Sequence, residues 1–171
     1  MKIARKVTGR TNVIAFTVDE LGHTYTGLPG IEGVPVNMHD VGHGKSVKHL
    51  EAEQVRENLR THHMTLVNRI VNRLKSVKEG NGTMFDNTVL CYFPDNGETH
   101  HSRGDEWPFI VLAGSNSKLD IANRYIRLPK HGVEGHKTLG NWYTTILNAY
   151  GNAVPHYGEL DTTLDKFGLN Q

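Results

Sequence analysis

Thr88-Val89-Leu90-Cys91-Tyr92-Phe93-Pro94-Asp95-Asn96-Gly97 decides the fold class. Six residues rich in β-branched and aromatic side chains run into a proline and then an Asp-Asn-Gly turn. A short apolar run ended this way reads as a buried strand with carboxylate and amide groups at its carboxyl tip. Upstream, Val55, Leu59, Leu66, Ile70 and Leu74 recur at helical spacing, with Val67 and Val71 widening the stripe. A long amphipathic helix is therefore expected from about Val47 to Val77, ended by Gly80-Asn81-Gly82, with Lys75 and Lys78 suited to its carbonyl end. Val13 to Val18 forms another apolar run that stops at Asp19, and is expected to be a buried strand. Residues 21 to 45 hold six glycines and two prolines without periodicity, which predicts a long functional or mobile loop.

Downstream, Phe109 to Ala113 and Arg124 to Leu128 are strand-like. A final helix is expected from Leu139 to Tyr150, with Trp142, Ile146, Leu147 and Tyr150 on its apolar face and Gly151 as the stop. The order strand, long helix, three strands, helix predicts an α/β class with a layered sheet flanked by helices. Such sheets carry their chemistry at the carboxyl ends of strands. Four strands and two helices are few for a self-sufficient domain of this type. The expected organisation is one domain or domain fragment over 1–171: an N-terminal segment at 1–11, an α/β portion at 12–151 and a tail at 152–171.

Composition narrows the partners. A net charge of +1 with histidine neutral leaves no basic footprint for nucleic acid. The longest apolar runs are far below the roughly 20 residues that cross a bilayer, and no signal peptide is visible at the basic start. The single Cys91 excludes an intrachain disulfide and reads as a buried, inert thiol. Histidine is the outlier, with 11 in 171 residues, and it is the commonest metal ligand.

Chemistry-bearing residues gather in three clusters. Asp19 and His23 flank the Gly22 turn after the first apolar run, a carboxylate and an imidazole that can converge on one divalent ion. Asp95 and Asn96 offer oxygen ligands, although Asp-Asn-Gly is also ordinary turn chemistry. His100 and His101 precede Arg103, whose forked donors make it a candidate anion contact; in extended chain only one of the two histidines faces a given site. Outside these clusters, His39, Asp40 and His43 read mainly as loop residues, with independent metal binding as the alternative. His62 and His63 read as helix histidines satisfied near the buried face, and His131 and His156 as surface residues. His136, just before the last helix, is a candidate supporting residue at the sheet edge, as is His100.

In this order the clusters resemble the alkaline phosphatase superfamily, which includes sulfatases, nucleotide pyrophosphatases and cofactor-independent phosphoglycerate mutases. Asp19-x-x-Gly22-His23-Thr24 resembles its D-x-x-G-H-[TS] motif. Phe85 to Gly97 is similar to the sulfatase strand ending in Asp-Asn-Gly, and His101 resembles the later histidine preceding a strand like Pro108-Phe109-Ile110. The stretch from Thr138 to Gly151 is similar to the closing helix. Residues 50–170 resemble the C-terminal part of large uncharacterised bacterial secreted members, including the Phe167-Gly168 tail.

The resemblance implies one metal site from Asp19, His23 and His101 and a second from Asp95 and Asn96. The metal would be zinc, manganese, iron or calcium, and Asn96 in place of histidine leans the second site toward calcium or magnesium. It also implies an anionic phosphate or sulfate ester as substrate and an exported protein. The family's nucleophile follows an earlier strand ending in aspartate, and neither is found before Asn12. Cys91 lies in no formylglycine-precursor setting. The expectation is thus the C-terminal, metal-ligand portion of such a domain. It would either hydrolyse or transfer esters with a missing half supplied by a partner or by self-association, or serve as a non-catalytic metal-binding or structural module.

Overall fold

The computed structural model describes residues 13–15, 17–18, 22–94, 108–130, 132–151 and 153–157. The chain is mixed α/β and divides into two compact units, residues 1–69 and 70–171. Its described strands form three separate two-stranded antiparallel ribbons.

The first unit is built by the glycine-rich stretch expected to be a loop. β1 (Thr24–Tyr25) pairs with β2 (Val36–Asn37), which leads directly into the short α1 (Met38–Gly42). Between the strands the chain doubles back through Gly30 and Gly33 at φ 82° and 75°. These left-handed values favour glycine. Gly33 N donates to Thr26 O at 2.8 Å and closes the reversal. Leu28, Ile31, Val36 and Val41 are thereby turned inward and almost fully buried, packed with Ala52, Val55 and Leu59 of α2 (Ala52–Ser76). Their irregular spacing explains why no periodicity announces this core: turns, not a repeat, bring the side chains together. α2 also pins the stretch by polar contacts, with Asn58 Nδ2 donating to Pro29 O at 2.9 Å and Arg56 Nη2 to Val41 O at 3.3 Å.

α2 itself matches the expected helix, beginning five residues later. Its buried positions Val55, Leu59, His63, Val67 and Val71 are each four residues apart. A helix advances about 100° per residue, so each step of four drifts by about 40° and the stripe turns through about 160° along its length.

In the second unit, α2 is followed by the hairpin of β3 (Lys78–Glu79) and β4 (Gly82–Thr83) and by a 3-10 turn at Met84–Asn87. Asp86 organises this region. Its Oδ2 accepts from Thr83 N at 2.7 Å and Thr83 Oγ1 at 2.8 Å, and its Oδ1 accepts from Ser115 Oγ at 2.8 Å. β5 (Val89–Tyr92) pairs along its length with β6 (Ile110–Ala113) in antiparallel register, Val89 opposite Ala113 and Tyr92 opposite Ile110. α3 (Leu139–Ala149) starts at Thr138, whose N–H donates to Asn141 Oδ1 at 2.8 Å, and stops before Gly151 at φ 87°.

Two expected strands are corrected. The described residues of 13–18 form no ladder, and Val13 is 82% exposed. Arg124 to Leu128 is likewise irregular, with Tyr125 91% exposed. An apolar run becomes a buried strand only where a neighbouring strand accepts its backbone hydrogen bonds. Among the described residues neither run has one. Nor is any helix among them long and apolar enough to cross a membrane.

Candidate functional site

The strand sequence His23-Thr24-Tyr25 places His23 and Tyr25 on one side of the chain, because side chains alternate along extended backbone. Their rings meet edge to face at 4.4 Å between centroids, a geometry that aromatic quadrupoles favour. The backbone of His23 is held by the start of α1, since Met38 N donates to His23 O at 3.3 Å. From α2, His62 approaches the same tyrosine with centroids 5.8 Å apart. His63 approaches it as well, and its Nε2 lies 3.0 Å from the Tyr25 hydroxyl. His63 is the buried member of the pair. The phenol can donate to an unprotonated Nε2 or accept from a protonated one.

Three imidazoles thus surround one phenol in the first unit. His62 and His63 are helix histidines as the sequence implied, and His63 is satisfied by a side chain 38 residues away. Tyr25 is the member that the sequence reading missed. Its alternation with His23 was the available signal.

Four of the sequence-derived metal ligands, Asp19, Asp95, Asn96 and His101, lie outside the described residues, as do His100 and Arg103. Among the described residues no three His, Cys, Asp or Glu side chains gather to hold a metal. His23, the remaining member of that set, is exposed.

The segment carrying Asp95 to Arg103 leaves after β5 and rejoins at β6. Its two stems are pinned together, because Phe93 stacks on Phe109 at 4.7 Å and Phe109 packs on Trp142 of α3 at 5.9 Å. Antiparallel pairing of β5 and β6 therefore joins the two stems, and α3 packs on the Phe109 side.

His136 closes a turn, its N–H donating to Val133 O at 3.1 Å. It is 1% exposed, and its Nδ1 lies 3.2 Å from both Gly132 N and Val133 O. A backbone N–H can only donate and a carbonyl can only accept, so the two contacts require opposite protonation of Nδ1. Either way the ring's Nδ1 is engaged by its own turn.

No family model, curated protein or solved structure matches the chain.

Proposed function

We infer that the chain is the metal-ligand portion of a metal-dependent hydrolase or transferase of phosphate or sulfate esters. It would belong to a layered α/β domain of the alkaline phosphatase type. The observation that carries this reading is His23. It follows the sequence Asp19-x-x-Gly22, stays solvent-accessible, and stands in an imidazole-rich corner with Tyr25, His62 and His63.

Asp19, His23 and His101 would hold one divalent metal, and Asp95 with Asn96 a second. A carboxylate and two imidazoles suit zinc, manganese or iron, whereas the all-oxygen pair suits calcium or magnesium. Such a metal polarises the ester and offsets charge that develops on its oxygens. Arg103 would contact the anion. The exposed apolar side chains Tyr125, Ile126, Leu128 and Val133 support association with a second copy or with the chain that supplies a nucleophile.

Elemental mass spectrometry of the purified protein, beside His23→Ala and His101→Ala, tests the reading. Near-stoichiometric divalent metal that both substitutions remove, with turnover of aryl phosphate or aryl sulfate when the missing half is supplied, is the expected result. Metal bound without turnover would leave the non-catalytic module as the better account. Folded, metal-free protein would overturn both. Light scattering on the same sample reads association, which a monodisperse monomer at micromolar concentration would refute.

A further inference from the structure

The structure places His39 and His43, expected mainly as loop histidines, on one turn at α1. Asn37 Oδ1 accepts from His39 N at 2.9 Å and from Asp40 N at 3.3 Å, which starts α1 in register. His43 N donates to His39 O at 3.1 Å, so the backbone bond that closes the turn joins the two histidines themselves. Val41, between them, is fully buried and anchors the turn in the core of the first unit. Lys45 Nζ lies 2.7 Å from Asp40 Oδ2, which engages that carboxylate beside the pair. Histidines four residues apart on a helical turn share a face. Here their Nε2 atoms are 3.1 Å apart, with ring centroids at 4.7 Å and planes at 68°.

That separation is a chelate distance. With two metal–nitrogen bonds of about 2.05 Å, nitrogens 3.1 Å apart subtend roughly 98° at the metal. The angle falls between the 90° of a square-planar site and the 109° of a tetrahedral one. It suits zinc, copper(II) or nickel(II), metals for which imidazole is a favoured ligand. Without metal the same distance accommodates one Nε2–H donated to the facing Nε2. On binding, that proton moves to Nδ1 of its own ring, so that both Nε2 lone pairs face the metal.

We propose that His39 and His43 form a two-imidazole clamp for a divalent transition metal, with the remaining coordination positions open to solvent or to a bound ligand. The clamp uses none of the residues assigned to the ester-hydrolase sites, and it stands whether or not that reading holds. Its rigidity comes from Asn37, Val41 and the 39–43 backbone bond, so the turn is ordered before metal arrives and little ordering entropy remains to oppose binding.

The test is calorimetric titration of the full, metal-stripped chain with zinc chloride in a non-coordinating buffer, for the parent, His39→Gln, His43→Gln and His23→Ala. The expected result is a zinc equivalent, separate from any that His23→Ala removes, whose affinity falls at least tenfold in each of the first two variants and is retained in His23→Ala. Magnesium should not displace it. Copper(II) added to the parent at substoichiometric levels should broaden the His39 and His43 ring proton resonances before those of other histidines. This readout needs no variant to fold. Unchanged zinc affinity in folded His39→Gln and His43→Gln would overturn the clamp, as would broadening confined to other histidines. Loss of zinc in His23→Ala alone would overturn it while supporting the ester-hydrolase sites.

Discussion

Gly114 directly follows β6 and is buried, and its N–H donates to Thr88 O at 2.9 Å. A Cβ at this position would lie 2.0 Å from Phe85 O and 2.5 Å from both the carbonyl carbon and oxygen of Asp86. Ordinary contact is roughly 3.5 Å, so the two segments must separate by more than about 1 Å. The obstructing atoms are backbone, and backbone cannot rotate away as a side chain can. The same 3-10 turn accepts Asn116 N at Asp86 O at 2.9 Å, so separation loosens this bond together with that of Gly114. Overpacking costs about 1–3 kcal/mol and each of the two weakened bonds about 0.5–1.5 kcal/mol, which places Gly114→Ala at roughly 2–6 kcal/mol of destabilisation.

Both tryptophans, Trp107 and Trp142, belong to residues 70–171. Urea unfolding followed by tryptophan fluorescence therefore reads the unit that holds Gly114. Gly27→Ala, which lies in residues 1–69 and is therefore followed by circular dichroism, is the control. Its added Cβ would meet nothing within 4 Å, so stability should hold or rise by about 0.4–1 kcal/mol through the unfolded chain. A Gly114→Ala protein within about 0.5 kcal/mol of the parent would refute the close approach of residue 114 to the 3-10 turn.

Two further outcomes depend on pH. Hydrogen bonds from the Thr83 backbone, the Thr83 hydroxyl and the Ser115 hydroxyl, in that order, hold the Asp86 carboxyl below the usual carboxylate range. The stability it contributes is present above that range and lost as pH falls through the folded value. Asp86→Asn should thus flatten part of the acid-side decline in urea midpoint, and parallel profiles for the two proteins would deny the carboxylate this role. Burial pushes the Cys91 thiol up from its usual value, so the neutral thiol is the form that the fold favours. That contribution is complete below the ordinary thiol range and is lost as pH rises through the folded value. Because the thiolate is the reactive form, iodoacetamide should modify Cys91 at least about tenfold more slowly in the native protein than in urea; equal rates would contradict its burial in β5.

How much was legible follows from which residues carry periodic information. α2 and α3 were readable because an apolar side chain every three or four residues has one simple interpretation, and Gly151 marks its own stop. β5 and β6 were readable from compact β-rich runs bounded by proline or glycine. Val13 to Val18 and Arg124 to Leu128 carry the same local pattern. They differ only in having no ladder partner among the described residues, and pairing is a property of distant chain, not of the run itself.

The site divides in the same way. Sequence spacing alone puts His39 and His43 on one face once α1 is known, and puts His23 and Tyr25 on one side of a strand. Sequence alone also determines the donor types available to a metal, an abundance of imidazole with a few carboxylates at the ends of apolar runs. Only the tertiary structure turns the glycine-rich stretch into a core through Leu28, Ile31, Val36 and Val41. Only it brings the Tyr25 hydroxyl to His63 and closes the His39 and His43 nitrogens to 3.1 Å. Those contacts depend on turn geometry and on burial against α2. Such free energies are settled by side chains far apart in the chain and leave no repeat in the sequence to read.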